Sequence, residues 1–208
     1  MITIEEAASL IKTARKYLTR DINEDELVSS LLDSHIRNVF SCVDFKSSEP
    51  TNWKGIYITI REFSQSPNRY LIIGYPVVKT SLTDAVKLLS HNAVLRLLRL
   101  QNALNINESI IELLLLYSFR QMRGIKPFVY PRLIDINKNG VLIVRNFYVG
   151  IHFPIPRSLT LDPIDMLSEC CLNAGLPPDA WLDVNTNVYV FDTIGFREIE
   201  PQGEICIE

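Results

Sequence analysis

Ile4, Ala7, Ala8, Ile11, Ala14 and Leu18 are spaced to put apolar side chains along one stripe of a helix. Thr3 precedes the stripe and Glu6 follows three residues later, which predicts a capping box. Asn23, followed by Glu24, Asp25 and Glu26, predicts a second helix to Asp33, its acids set against the positive end of the dipole. The period then changes to two. Ile56, Ile58 and Ile60 alternate with Tyr57, Thr59 and Arg61, as in a strand with one buried face. Ser64, Ser66, Pro67 and Asn68 carry turn chemistry, and a second strand through Tyr70 to Ile73 completes a hairpin. Ser81 and Asp84 cap a long helix marked by Leu82, Ala85, Val86, Leu89, Ala93, Leu97 and Leu100. Ile110 to Phe119 is an apolar strand, and Asn139-Gly140 predicts a tight hairpin turn within Leu133 to Val144.

The last third opens with a helix start at Asp162-Pro163-Ile164-Asp165: a cap, a proline in the first turn and an acid beside it. Gly175 ends that helix in the left-handed conformation, and Pro177 and Pro178 forbid a restart. Strands are expected at 187–193 and 194–199, ahead of a frayed acidic tail. Pro154 and Pro156 belong to a loop or a strand edge. Strand runs joined by hairpins predict an α+β fold with a mainly antiparallel sheet, in preference to a doubly wound α/β fold. The length suits one domain over 1–208, divisible into subdomains at 1–130 and 131–208 that share one sheet.

Of the 208 residues, 47% are hydrophobic, enough for a sizeable core. No apolar run approaches the ~20 residues needed to cross a bilayer, so no membrane span is expected. Glu5 and Glu6 precede any basic residue, unlike a signal peptide, and a cytoplasmic location is expected. Cys42, Cys170, Cys171 and Cys206 show no CxxC spacing, and His35, His91 and His152 are isolated. The expectation is buried free thiols with no metal site and no cofactor. Net charge is −3 but uneven: −2 over 1–65, +7 over 66–150 and −8 over 151–208. Attraction between parts of one fold accounts for this. The sharper alternative is a basic surface for an anionic ligand. Nucleic acid is not the expected partner, because no stripe of interleaved aromatic and basic residues accompanies the positive block.

Cys171 to Trp181 reads Cys-Leu-Asn-Ala-Gly-Leu-Pro-Pro-Asp-Ala-Trp. Together with Asp135-Ile136, Gly140 to Val144, Gly150, Pro154 and Val188 to Phe191, it resembles the AMMECR family, named for the human chromosomal region linked to Alport syndrome, midface hypoplasia and elliptocytosis. The likeness is to archaeal members, runs in order over residues 55 to 200, and is strongest after 134. It implies two related halves around a barrel-like sheet, helices packed outside and a cleft between the halves. It also implies a shared pathway with Memo-like and radical-SAM proteins, and it defines no reaction.

The family hallmark is Leu-Arg-Gly-Cys-Ile-Gly, followed by Tyr-Pro or a similar pair. The matching residues are Arg69, Tyr70, Leu71, Ile72, Ile73 and Gly74, followed by Tyr75 and Pro76. Alternation puts Tyr70, Ile72 and Gly74 on the face where the family carries its arginine, cysteine and last glycine. A phenol and a hydrocarbon there cannot replace a cationic donor and a thiol at neutral pH. The family's acid-Pro-Arg-Phe-Pro-Pro segment has no counterpart between Arg99 and Glu108.

These residues support two functions. The first is a binding protein that takes a protein partner or small ligand through the implied cleft, lined by Tyr70, Ile72, Gly74, Tyr75, Pro76, Asp179, Trp181 and Asp183. The second is an enzyme acting on a small anionic substrate through Cys170 or Cys171, or through Asp179 and Asp183. Each candidate also has a plain structural role. Cys171, three positions inside the helix end, is placed to pack against Leu176; Cys170 is expected to be the more exposed thiol. Trp181 can plug the core while the two aspartates satisfy turn amides. His152 fits a hydrogen-bonded strand position, and Glu198, Glu200 and Glu204 fit a solvated edge better than a metal site. No P-loop, dinucleotide fingerprint, HExxH or GxSxG motif is present.

Overall fold

The fold is that of a computed structural model, which describes residues 2–19, 54–63, 70–78, 81–99, 104–154 and 161–207. The helix expected from Asn23 to Asp33, the loop from Ser64 to Asn68, Cys42, Leu100 and Pro156 lie outside the described residues. Helix α1 (Ile4–Leu18) begins at the expected capping box. The Glu6 amide donates to Thr3 Oγ1 at 3.2 Å, and the Thr3 amide donates to the Glu6 carboxylate at 2.8 Å. Its buried stripe is Ala7, Leu10, Ile11, Ala14 and Leu18. Leu10 replaces the expected Ile4, which stays exposed in the first turn.

Strands β1 (Lys54–Glu62) and β2 (Tyr70–Val78) follow, then helix α2 (Leu82–Arg99), capped by Ser81 and Asp84 as read. Strands β3 (Ser109–Gln121), β4 (Asn139–Arg145) and β5 (Tyr148–His152) precede helix α3 (Pro163–Asn173). Strands β6 (Asn187–Glu198) and β7 (Ile205–Ile207) close the chain. One sheet holds all seven strands in the order β2-β1-β3-β6-β4-β5, with β7 paired to β6. The β4–β5, β4–β6 and β6–β7 registers are antiparallel, so the α+β class and the mainly antiparallel sheet are as expected.

Two compact units divide the chain. The first holds α1, Gly55–Leu115 and the segment from Ile194 on. Ile56, Ile58 and Ile60, each 0% exposed, join the α1 stripe and Ala85, Val86 and Leu89 of α2 in its core. Each such isoleucine contributes about 1.5–3 kcal/mol by leaving water. The second unit contains Leu116–Thr193. Its core gathers Val141 and Ile143 of β4, Val188 and Val190 of β6, and Met166, Leu167, Cys170 and Cys171 of α3.

Two local readings need correction. Asn139 and Gly140 do not form a turn: they open β4, where Gly140 pairs with Phe191. The glycine is there for space, because a Cβ would lie 2.2 Å from the Phe191 ring. The two-residue turn falls at Asn146 and Phe147, with Asn146 at φ 55°, a conformation asparagine tolerates better than most residues. The C-terminal strand pair is also displaced. β6 runs unbroken to Glu198, and the supposed tail returns as β7, with Phe196 opposite Ile207.

Candidate functional site

Alternation along β2 divides the hallmark segment between two faces. Leu71, Ile73 and Tyr75 pack on the core of the first unit. Tyr70 and Ile72 turn outward, 62% and 43% exposed. Gly74 lies under the ring of Tyr57, since a Cβ there would meet that ring at 2.2 Å. Tyr75 accepts a hydrogen bond from Asn92 Nδ2 at 2.9 Å, which ties β2 to α2, and Pro76 is half-buried. The outward face of β2 is therefore apolar apart from one phenol, and it carries no thiol, imidazole or carboxylate of its own.

Asp179, Trp181 and Asp183 belong to the second unit, and each set of residues is taken within its own unit. The corner that holds them forms as expected. Gly175 has φ 75°, its amide donates to the Leu172 carbonyl at 2.9 Å, and the Leu176 amide donates to the Cys171 carbonyl at 2.9 Å. That pair of bonds is a Schellman motif. Trp181 is buried in the core cluster. Asp183 accepts from the Asn185 amide at 2.9 Å and pairs with Arg145 at 2.9 Å. The Asn185 amide, and after it the Arg145 charge, hold the Asp183 carboxyl below the usual carboxylate range. Asp179 is exposed. Asp183 is thus engaged by its own turn and a neighbouring guanidinium, an arrangement suited to fixing a corner.

Cys170 and Cys171 are both buried, contrary to the expectation that Cys170 would be the more exposed. The reason is helix α3 packing against β4 and β5: the Cys170 thiol donates to the Val141 carbonyl at 3.4 Å. Burial, and after it the adjacent Cys171, pushes the Cys170 thiol far up, and burial likewise raises that of Cys171. A nucleophilic thiol needs the opposite shift. Native protein treated with iodoacetamide at neutral pH should alkylate both at least about a hundredfold more slowly than protein in urea. Peptide mapping reads each site, and alkylation of either at the unfolded rate would restore the thiol enzyme.

His152 occupies the structural role read for it, with Nδ1 2.8 Å from the Phe153 carbonyl and Nε2 3.0 Å from Glu169. Among the described residues no group of three or more His, Cys, Asp or Glu side chains could hold a metal ion. Charges of the basic middle and acidic final segments meet in Arg145–Asp183 and in Arg120–Asp192 at 3.6 Å.

Glu198 is a correction. It is 3% exposed and forms no solvated edge. Its carboxylate pairs with Arg15 and accepts from the Ile111 amide at 2.8 Å. Arg15 also donates to the carbonyls of Ile106 at 2.6 Å and Ser109 at 2.8 Å. Each ion is buried against its partners, and the cluster joins α1, β3 and β6 as a structural clamp.

Among the described residues no helix is long and apolar enough to cross a membrane. The model of the AMMECR1 family matches residues 51–196. A protein of Thermococcus gammatolerans is 28% identical over 189 residues, 86% of this chain and 90% of the relative. Protein PH0010 of Pyrococcus horikoshii is 30% identical over 170 residues, 77% of this chain and 81% of its own. The crystal structure of that uncharacterized protein superposes with a TM-score of 0.70 at 25% identity, covering 100% of this chain and 98% of the other. The fold as a whole thus has its counterpart in a solved structure, and the chain belongs to the AMMECR1 family.

Proposed function

We propose that this chain is a cytosolic, non-catalytic binding protein of its family, taking a protein partner or small ligand of apolar or aromatic character on the outward face of β2. The observation that carries this reading is the exposure of Tyr70 and Ile72 on the strand that resembles the family hallmark. Exposed aromatic and branched side chains beside a covered glycine offer contact area and a hydroxyl. They offer no group that moves a proton or attacks a carbonyl at neutral pH. The buried thiols and the Arg145-paired Asp183 support the same reading against the enzyme alternative. Memo-like and radical-SAM proteins, which the family resemblance brings in, are the first partners to try.

Amide NMR spectra of the protein titrated with aromatic fragments such as indole and p-cresol test this. Shifts should concentrate on Tyr70 to Val78 and on the facing residues of β1, and they should vanish in Ile72→Glu. Fragments that shift only residues elsewhere, or that bind the variant as well as the parent, would contradict the proposal.

A further inference from the structure

A second surface lies in the other unit, on the connection between β3 and β4. From Met122 to Leu133 the chain carries Arg123, Lys126 and Arg132 and no acid. The segment is held at Met122 and at Tyr130. The Met122 amide donates to the Val188 carbonyl at 2.9 Å, and the buried Tyr130 hydroxyl donates to the Met122 carbonyl at 3.1 Å, closing the loop on itself. Between these ties the Val129 amide donates to the Lys126 carbonyl at 2.9 Å, forming a tight turn that presents Phe128, 67% exposed. Lys126 Nζ stands 6.0 Å from the Phe128 ring centroid, on one face of it.

The flanking cations are neutralised: Arg120 by Asp192 at 3.6 Å, Lys138 by Asp135 at 3.5 Å and Arg145 by Asp183 at 2.9 Å. Arg123, Lys126 and Arg132 have no carboxylate partner among the described residues. An exposed aromatic with one cation over its ring, on a closed segment that carries two further unneutralised cations, has the composition of a binding hot spot, with little ordering left to do on contact. We infer that the Met122–Leu133 loop docks an acidic peptide segment of a partner protein, whose carboxylates meet Arg123, Lys126 and Arg132 while an apolar side chain packs on Phe128. A lone aromatic with one face already shared with a lysine favours a peptide over a base-stacked single strand of nucleic acid. This surface is independent of the β2 face.

The test uses a short fluorescein-labelled peptide of aspartates and glutamates flanking one leucine, followed by anisotropy in low and physiological salt. Saturable binding that weakens with salt is expected. Arg123→Ser/Lys126→Ser/Arg132→Ser should weaken it by about tenfold or more, and Phe128→Ser by about fivefold. The charge control Arg120→Ser/Lys138→Ser, whose cations are already paired, should change it less than about twofold. Circular dichroism checks that each variant is folded. Absence of saturable binding, or an equal loss in the control, overturns the inference. Tighter binding of polyuridylate or of phosphatidylserine vesicles through the same three cations also overturns it, by giving the loop to another class of partner.

Discussion

Glu198→Ala should destabilise the protein by about 3–5 kcal/mol, read as a lowered urea midpoint at unchanged slope. Few single changes here should cost more, because the substitution strands its partners. Arg15, whose side chain is 12% exposed, would keep its charge without a counter-ion, and the Ile111 amide would lose its acceptor. A small domain has about 5–15 kcal/mol in all, so much of the margin would go. Arg15→Met/Glu198→Leu should recover part of the loss, since it removes both charges together. Recovery stays incomplete, because the carbonyls of Ile106 and Ser109 and the Ile111 amide still lack their partners. An alanine variant within about 1 kcal/mol of the parent would show that the pair is screened by water and does not clamp α1 to the sheet.

Gly150→Ala should be nearly as damaging, at about 3 kcal/mol. A Cβ at this point of β5 would lie 2.0 Å from the Cys170 carbonyl oxygen and 2.8 Å from Ala174 Cβ. Neither obstacle is the free end of a flexible side chain, so α3 would have to lift from the strand. That movement would loosen the seat of Met166, Leu167, Cys170 and Cys171 together. Urea unfolding reads the stability, and faster alkylation of Cys170 reads the lifted helix. An alanine variant of parental stability with Cys170 still protected would show that the helix seats loosely enough to take a methyl group.

Features set by neighbours in the chain were legible in the sequence. Thr3 with Glu6, Ser81 with Asp84, and Asp162 with Ile164 are caps whose partners lie two or three residues away. Gly175 needs only its own helix to define its conformation. Features set across the sheet were not legible. Glu198 alternates with Glu200 and Glu204, and nothing nearby announces that it meets Arg15, 183 residues distant. Asn139-Gly140 carries the chemistry of a turn, yet Gly140 is demanded by the Phe191 ring on the facing strand. The true turn residue, Asn146, is a quieter signal beside Phe147. On β2, alternation gave the two faces correctly, but which face met the core depended on the packing of β1 and α2. The cations of the Met122–Leu133 loop were visible only as part of a charge count, because pairing decides which of them are neutralised.

One measurement bears most directly on the proposal that the altered hallmark strand is a binding surface. A photo-crosslinking benzoyl-phenylalanine replaces Ile72 on β2 in one preparation and the still more exposed Leu172 on α3 in another, and both are irradiated in extract of the source cells. Position 72 should give a discrete adduct, in far higher yield than position 172, and the adduct should fade when unlabelled parent protein competes but not when Tyr70→Ser/Ile72→Glu does. Equal, diffuse crosslinking from both positions would contradict the account.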